Sequence, residues 1–385
     1  MIPHTVALHQ ILTAGIQAPS AENKHYFWLE VGTQSVTLHA TDSASWAAHP
    51  DRKMLALMSF GAVMENIKLR AAAMGFETHA QWWPSPGLNT SRVVDLSWQV
   101  AAPVFDPLDG AISTRHTNRR FYQRACLQGS VLAELSLAAN STAGTAVHWL
   151  AQGKQRRLAL RLIRVAETER FRRAGLHHEM FRAIRFERGW DGTVLEGLPP
   201  AALQVELPLR WPFAWLRHWN VMRAATLLGA HYALGVRSAY LPCALAPQLG
   251  LVTSSGWQHG AVTDTDTDPN ANADPSVNVD AAHLEAGRSF QRLWLCAEHL
   301  GLALQPMAAA TVLVNQISRP DWVSSATQKR LLEGLQELAV DVGATQIGAH
   351  ACMLFRVGRA QAPSAASGRR PLAHFLKAPP VLATV

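Results

Sequence analysis

The sequence has few lysines, few tyrosines and no closely spaced cysteines. Only six of its 385 residues are lysine, so the net charge of +7 depends almost entirely on arginine. An excess of arginine favours recognition of phosphate or carboxylate groups, although a GC-rich genome produces the same bias. The four cysteines, Cys126, Cys243, Cys296 and Cys352, form no CxxC pair. We therefore expect buried, unpaired thiols in a reducing compartment, and no disulfide framework.

Motifs of several common enzyme classes are missing. The chain contains no Gly-x-Ser-x-Gly turn, no Walker phosphate loop and no Rossmann fingerprint. These absences argue against the usual serine hydrolases, P-loop nucleotidases and dinucleotide-binding folds. No stretch interleaves basic and aromatic residues as nucleic-acid platforms do, so we expect no nucleic-acid partner.

Two acidic or histidine-containing segments resemble metal sites only in part. His177-His178-Glu179 lacks the second histidine of a zinc-protease helix. The segment Asp264–Asp268 resembles the start of a calcium loop, but Pro269 and Pro275 stand where glycine and a carboxylate are needed. We expect a solvated helix face at the first segment, a flexible acidic loop at the second, and no metal at either.

No segment is a good candidate for a membrane span or a secretion signal. The N-terminus has neither the basic start nor the apolar stretch of a signal peptide. The most apolar region, Ala224–Val252, is interrupted by Arg237 and contains two prolines. We therefore expect a soluble cytoplasmic protein with no membrane partner.

The hydrophobic pattern predicts two related halves. Predicted helices cover residues 5–18, 52–74 and 130–139, with a further helix from Ala286 that Gly301 closes; predicted strands cover 26–31, 35–40, 93–101 and 146–150. Gly61 to Gly75 aligns without a gap on Gly287 to Gly301, at an offset of 226 residues. Trp28 and Trp149 align at an offset of only 121, so the second copy carries about a hundred extra residues before its long helix.

The extra residues of the second copy have a composition of their own. Residues 154–186 have the pattern of a basic amphipathic helix or a pair of helices. Trp211, Trp215 and Trp219 recur every four residues, which predicts one aromatic stripe along a helix. Such a stripe either packs against the core or forms a lid over a ligand.

The segment that follows the first half has the spacing of a phosphate clamp. Alternate side chains of an extended or turning backbone fall on the same side, so Arg115, Thr117 and Arg119 can converge on one anion. Two guanidinium groups and a hydroxyl offer several charge-assisted hydrogen bonds to a phosphate. A solvated basic turn is the alternative interpretation, with His116 as an exposed turn residue or a proton donor.

Three segments together resemble a known family. They are Ala-Pro-Ser-Ala-x-Asn at residues 18–23, Arg-x-Thr-x-Arg at 115–119, and the Gly-x13-Gly pattern with Gln305-Pro306. In these the chain resembles the FMN-dependent nitroreductases, in particular their single-chain tandem (Acg-like) branch. The resemblance implies an α+β fold of two divergent tandem halves, residues 1–110 and 111–385, that form an intramolecular pseudo-dimer. A helical insertion of about 153–283 would act as a lid in the second half.

The same resemblance implies the cofactor and the residues that bind it. Arg115, Thr117 and Arg119 match the segment that holds the flavin phosphate, and Arg369 or Arg370 matches a late basic position. The other implied contacts come from the loop that flanks the flavin ring, with Pro19, Ser20 and Asn23, and from the backbone along the flavin edge, with Gln305, Pro306 and Met307. The first half lacks the phosphate motif and the second half has Ala139–Thr142 in place of the Pro-Ser loop. We therefore expect one FMN per chain and, because of the internal pairing, a monomer.

The implied activity is transfer of hydride from NAD(P)H, a transient donor, through FMN to a small aromatic or quinone-like acceptor. The flavin carries this chemistry, so no side chain is assigned as a catalytic acid or base. Two alternatives remain open. The chain could bind or store FMN in a closed site with little turnover, or it could be a relative that has lost the flavin and serves as a scaffold.

Overall fold

The structure, a computed structural model, describes residues 1–83, 91–142, 144–255, 275–316, 321–344 and 350–377, with the backbone alone for 275–278. Helices and strands are interspersed along the chain, which confirms the mixed α+β class. The helices are α1 Thr5–Ile16, α2 Pro50–Ala73, α3 Gly129–Asn140, α4 Lys154–Arg172, α5 Ala174–Ala183, α6 Leu207–Trp215, α7 Trp219–Leu227, α8 Ala230–Gly235, α9 Leu241–Leu245, α10 Pro275–His299, α11 Ala309–Val314 and α12 Ser325–Asp341. The strands are β1 Phe27–Val31, β2 Val36–Ala40, β3 Phe76–Trp82, β4 Arg92–Val100, β5 Thr145–Trp149, β6 Gln248–Ser254, β7 Ala303–Pro306, β8 His350–Gly358 and β9 Leu376–Lys377.

The strands form two sheets with matching topology. The first has the order β3-β4-β2-β1-β9 and the second the order β5-β6-β8-β7. Read from the opposite edge, the second sheet is β7-β8-β6-β5, which matches the first four strands of the other sheet one for one. Each unit therefore contains a short helix, two strands, a long helix and two further strands, in that order. In the second unit, additional helices separate the strands of each pair.

The C-terminal strand belongs to the first sheet although it comes last in the chain. β9 pairs in parallel with β1, with Leu376 beside Leu29. Leu372 and Phe375, just before β9, are buried in the core of the first unit. The predicted division at residue 110 thus leaves a C-terminal segment that returns to the first unit, and the boundaries themselves stay a prediction.

The two long helices α2 and α10 cross at a pair of glycines. A Cβ atom on Gly61 would overlap the carbonyl oxygen of Leu284, and one on Gly287 would overlap that of Met58. Only glycine allows two helix backbones to approach so closely. The sequence offset of 226 relates Gly61 to Gly287 and Met58 to Leu284, so the two contacts are reciprocal.

Polar pairs beside the crossing repeat this reciprocity. The Asn66 Oδ1 accepts a hydrogen bond of 2.7 Å from Gln291, and Arg292 forms a 2.8 Å ion pair with Glu65. The offset of 226 relates Glu65 to Gln291 and Asn66 to Arg292, so it converts one pair into the other. Reciprocal contacts are what a twofold arrangement produces, so the crossing has local twofold symmetry.

The second sheet is covered on both faces. One face packs against α3 and α10, and the other against α4, α11 and α12. Burial on both faces explains why β6 and β8 consist of nearly continuous buried residues and do not alternate. α4 and α12 are additions that the first unit lacks, since β5 and β6 are separated by α4 to α9, and β7 and β8 by α11 and α12.

The structure corrects three predictions about side chains. The helix face at His177 is not solvated, because His177 is buried and its Nε2 lies 2.7 Å from the carbonyl oxygen of Leu216. Trp219 begins α7, whereas Trp211 and Trp215 lie on α6, so the three tryptophans do not form one helical stripe. Trp211 is 68% exposed and Trp215 is 53% exposed, so neither is buried against the core. Cys126 is also exposed, while the other three cysteines are buried.

Other expectations about the insertion have mixed outcomes. For residues 154–186, predicted as one helix or a pair, the structure has the pair α4 and α5, which ends at Ala183. The second long helix begins at Pro275, earlier than predicted. The acidic segment Asp264–Asp268 lies outside the described residues.

In the part of the chain that is described, no helix combines the length and apolar character needed to span a bilayer.

Candidate functional site

A cavity lies beside the crossing of α2 and α10, where segments from both units meet. Its open space is about 1060 Å³, which includes its mouth to solvent. Its lining residues come mainly from the two long helices, the loop after α1, the arginine segment and the C-terminal tail. They include Met58, Ser59, Ala62, Gly287, Phe290 and Trp294; Pro19, Ser20, Glu22 and Asn23; Arg115, His116, Thr117 and Arg119; and Ala365, Ala366, Ser367 and Arg369.

The structure brings most of the predicted site residues to this one cavity. All three residues of the phosphate motif line it, together with Pro19, Ser20, Asn23, Pro306 and Arg369. These residues come from segments up to 350 positions apart, so the fold and not the local sequence assembles them. Their assignment to a cofactor stays a prediction.

Three predicted residues lie elsewhere. Gln305 is buried, and its Oε1 accepts a 2.8 Å hydrogen bond from the Arg356 Nε. Met307 packs in the core between the second sheet and α4. Arg370 forms an ion pair with Glu196. Of the two candidate late basic residues, Arg369 is therefore the one that lines the cavity.

Arg115 is buried without an acidic partner. Its Nη2 donates a 3.2 Å hydrogen bond to the carbonyl oxygen of Gln17, and its guanidinium carbon lies 4.5 Å from the centre of the Trp294 ring. Its Nε is buried and has no hydrogen-bond partner. A buried donor without a partner is costly, so this position suits an acceptor supplied by a ligand.

The other two arginines of the cavity also lack a carboxylate. Arg119 donates only a long hydrogen bond, 3.4 Å, to the carbonyl oxygen of Ala202. Arg369 donates to the carbonyl oxygen of Ala18 at 2.8 Å and to the side chain of Asn23. Within the described ranges, none of the three arginines forms a salt bridge.

The uncompensated charge is reflected in the pKa values. Burial and, to a smaller extent, the nearby positive charge of Arg369 together lower the pKa of Arg115 to about 9. Burial also lowers the pKa of Arg119 and of Arg369 to about 10. Burial of three cations without a salt bridge to a carboxylate is unfavourable, and a bound anion would offset this cost.

Asn23 holds the cavity's loop to two distant segments. Its Nδ2 donates hydrogen bonds to the carbonyl oxygens of Leu195, at 3.3 Å, and Gly368, at 3.2 Å. Its φ is +54°, in the left-handed region that asparagine tolerates better than most residues. The carboxamide therefore joins the loop, the insertion and the tail, a role that the sequence pattern alone did not indicate.

The cavity's walls away from the arginines are largely apolar. Phe290 of α10 and Met58 of α2 line this part of the cavity. The insertion contributes Leu198 and Ala202, which sequence reasoning missed because these residues belong to no recognisable motif. His116 also lines the cavity, and its Nδ1 lies 2.7 Å from the carbonyl oxygen of Thr114.

The cavity and fold together define a mixed α+β protein with a cationic, apolar-walled pocket between two similar units. No family model matches the chain, and no curated protein matches it. Among solved structures, it is similar to a nitroreductase with bound FMN from Desulfitobacterium hafniense DCB-2, with 12% identity, coverage of 68% of this chain and 93% of that one, and a TM-score of 0.32.

Two further solved structures show likeness of the same order. The FMN-dependent nitroreductase NfnB from Mycobacterium smegmatis, in complex with NADPH, has 14% identity and a TM-score of 0.31, with 66% of this chain and 88% of that one covered. A nitroreductase-like protein from Bacillus cereus has 11% identity and a TM-score of 0.33, with 73% and 100% covered. Likeness at this level does not assign the chain to a family, and the tandem branch stays a prediction.

Proposed function

We propose that this chain is an FMN-binding oxidoreductase that passes hydride from NAD(P)H through the flavin to a small aromatic or quinone-like acceptor. The observation that carries the proposal is the convergence of Arg115, Arg119 and Arg369 on one apolar-walled cavity without a paired carboxylate. Such a set needs a ligand with an anionic end and a flat apolar part.

The arginine set fits the phosphate of FMN. A phosphate presents several acceptor oxygens, and guanidinium groups bind them through charge-assisted hydrogen bonds. The buried Arg115 Nε has no hydrogen-bond partner, and Thr117 lines the same cavity. We assign Arg115, Thr117, Arg119 and Arg369 to the phosphate, and we expect one FMN per chain.

The remaining walls fit the ring system. Phe290, Met58 and Pro306 offer apolar surface for a flat heterocycle, and Pro19 and Ser20 approach from the loop after α1. These side chains would exclude water and orient the ring.

When bound, FMN supplies the hydride and electron transfer that the side chains cannot. The chain's own residues bind the cofactor, orient it and keep the cavity dry. No acid or base is assigned, since the chemistry needs none from the protein. NAD(P)H is proposed as a transient hydride donor.

A storage function is the second candidate. Leu198 and Ala202 of the insertion and residues 365–367 of the tail form part of the cavity wall. If these segments close over the flavin, the protein would bind FMN and turn over slowly. Both functions predict a yellow protein, but only the oxidoreductase is bleached rapidly by NADPH and recoloured by an acceptor.

The phosphate assignment is tested by titrating flavin-free protein with FMN and with riboflavin, which lacks the phosphate. We expect about one FMN per chain and much weaker riboflavin binding. Arg115→Gln and Arg119→Gln should each weaken FMN binding by roughly ten- to a hundredfold, since a hydrogen bond to a charged group contributes about 1.5–3 kcal/mol. Arg370→Gln is the matched control, because this arginine lies outside the cavity. Equal affinity for FMN and riboflavin would contradict the assignment.

A further inference from the structure

α6 and α7 expose an unusual set of large apolar side chains. Leu207, Trp211 and Trp215 recur at intervals of four along α6, and all three are exposed. The end of α7 exposes Leu227 at 87% and Leu228 at 91%. We call these five residues the Trp/Leu surface. Isolated exposed apolar residues are ordinary, but a cluster on neighbouring helices marks an interaction site.

The charged side chains that α6, α7 and the turn between them carry have one sign. From Leu207 to Ser255 the sequence contains no aspartate and no glutamate, while Arg210, Arg217 and Arg223 occur on or between the two helices. Arg217 and Arg223 are both exposed, and neither takes part in a salt bridge with another described residue. The helices therefore combine exposed tryptophan and leucine with uncompensated cations.

A basic cleft opens at the beginning of α6, next to this surface. Its open space is about 1260 Å³, and Leu207 and Arg210 line it from α6. Three more arginines line it, Arg119, Arg120 and Arg237. The single acidic side chain among its described residues, Glu206, is already paired with Arg237. The cleft therefore carries a net positive charge beside the Trp/Leu surface.

We propose that α6 and α7 lie on the surface of an anionic phospholipid bilayer. Tryptophan and leucine side chains enter the boundary between headgroups and acyl chains, while arginines reach the phosphates. Arg120 and Arg210, which line the basic cleft, would add cations for the same headgroups. This is shallow, peripheral binding, and it departs from the expectation of no membrane partner.

The charges favour a bilayer over a second copy of the chain. A symmetric dimer through this surface would bring the same patch of each protomer together. Arg217 and Arg223 would then meet arginines across the interface, and neither α6 nor α7 carries an acidic residue to compensate them. Anionic headgroups supply the opposite charge that another copy lacks.

Co-sedimentation with vesicles tests the proposal. The full chain should bind vesicles that contain phosphatidylglycerol, and bind phosphatidylcholine vesicles weakly. Reversing two charges in Arg217→Glu with Arg223→Glu should lower partitioning roughly thirtyfold or more, since each basic residue near an anionic surface contributes about 1 kcal/mol. Leu227→Ser with Leu228→Ser should lower it as well. High salt should weaken binding of the wild-type protein.

The control changes an exposed cation and an exposed apolar residue on a different helix. Arg330→Glu with Val340→Ser on α12, which packs against α4 and α11, should leave partitioning unchanged. Thermal unfolding checks that all variants fold. The proposal is overturned if the wild-type protein fails to bind anionic vesicles, or if the α6 and α7 variants bind as well as it does. A different outcome is a wild-type protein that dimerises with increasing concentration and does not bind vesicles. If Leu227→Ser with Leu228→Ser then dissociates the dimer, the surface is an interface between copies and the proposal is overturned.

Discussion

Gly61 of α2 lies directly against the backbone of Leu284 on α10, where any side chain would collide with a carbonyl oxygen. The reciprocal contact joins Gly287 to Met58. These two contacts set how closely the long helices approach each other, and the cavity is lined from both helices beside the crossing.

Substituting alanine at either glycine should destabilise the protein by a similar amount. In each variant the new methyl group meets backbone, which cannot rotate away, so we expect a loss of roughly 3 kcal/mol or more in the free energy of unfolding. Urea denaturation measures this loss. Gly129→Ala at the start of α3, where no atom lies within 4 Å of the new methyl, should be nearly neutral. A neutral Gly61→Ala would contradict the close crossing.

Removing a cavity arginine should weaken FMN binding without lowering the stability of the ligand-free protein. Arg115→Gln removes a buried charge that has no acidic partner, so the ligand-free protein should be as stable as the wild type or more stable. FMN at a hundred times its dissociation constant should stabilise the wild type by about 2.7 kcal/mol, and much less stabilisation is expected for the variant at the same concentration. Thermal unfolding with and without FMN measures both. A ligand-free variant far less stable than wild type would mean that Arg115 serves the fold.

Acidification should destabilise the fold through His283. Burial on α10, with Lys53 and His350 nearby, lowers its pKa to about 4. His283 therefore takes up a proton near pH 6.5 in the unfolded chain but only near pH 4 in the folded protein. Above pH 6.5 the effect of His283 on the free energy of unfolding is constant. As the pH falls below 6.5 the free energy of unfolding decreases, by roughly 2 kcal/mol at about pH 5.

The free energy of unfolding at about pH 7.5 and about pH 5 checks this sign. His283→Asn, which cannot be protonated, should show a smaller difference between the two conditions than the wild type. An unchanged difference in the variant would show that other groups cause the pH dependence.

Asn23 should stabilise the cavity's tail more than a surface ion pair does. Asn23→Gly keeps the left-handed backbone accessible but removes the hydrogen bonds to Leu195 and Gly368, at about 1 kcal/mol each. Limited proteolysis should then cleave the tail faster, and FMN affinity should fall. Arg370→Gln breaks a partly exposed ion pair with Glu196 between the same segments, and it should have little effect. Equal proteolysis of both variants would contradict this role of Asn23.

Much of the framework was predictable from the sequence because it depends on local pattern. The periodicity of residues 5–18 and 52–74 predicted α1 and α2 to within a few residues. The glycine alignment was more informative, since Gly61 and Gly287 proved to be the residues at which the two helices touch. Gly75 and Gly301 also match, and both have a positive φ after a long helix, as glycines that end helices do.

Other features depend on long-range contacts that no local pattern reveals. Residue spacing could not choose between Arg369 and Arg370, because the choice is made by Asn23 and Glu196, which attract the two side chains to opposite places. Regular spacing of Trp211, Trp215 and Trp219 suggested one helix, but the chain turns between Trp215 and Trp219. Cavity walls such as Leu198 and Ala202 come from the insertion, whose fold is set by packing and not by a motif.

The measurement that tests the account most directly is an anaerobic absorption spectrum of the protein loaded with FMN, recorded before and after NADPH is added and again after a quinone is supplied. The account predicts about one flavin per chain, rapid bleaching of its visible band by NADPH, and recovery of the band with the quinone. A protein that binds no FMN at stoichiometric concentrations would contradict the account at its base.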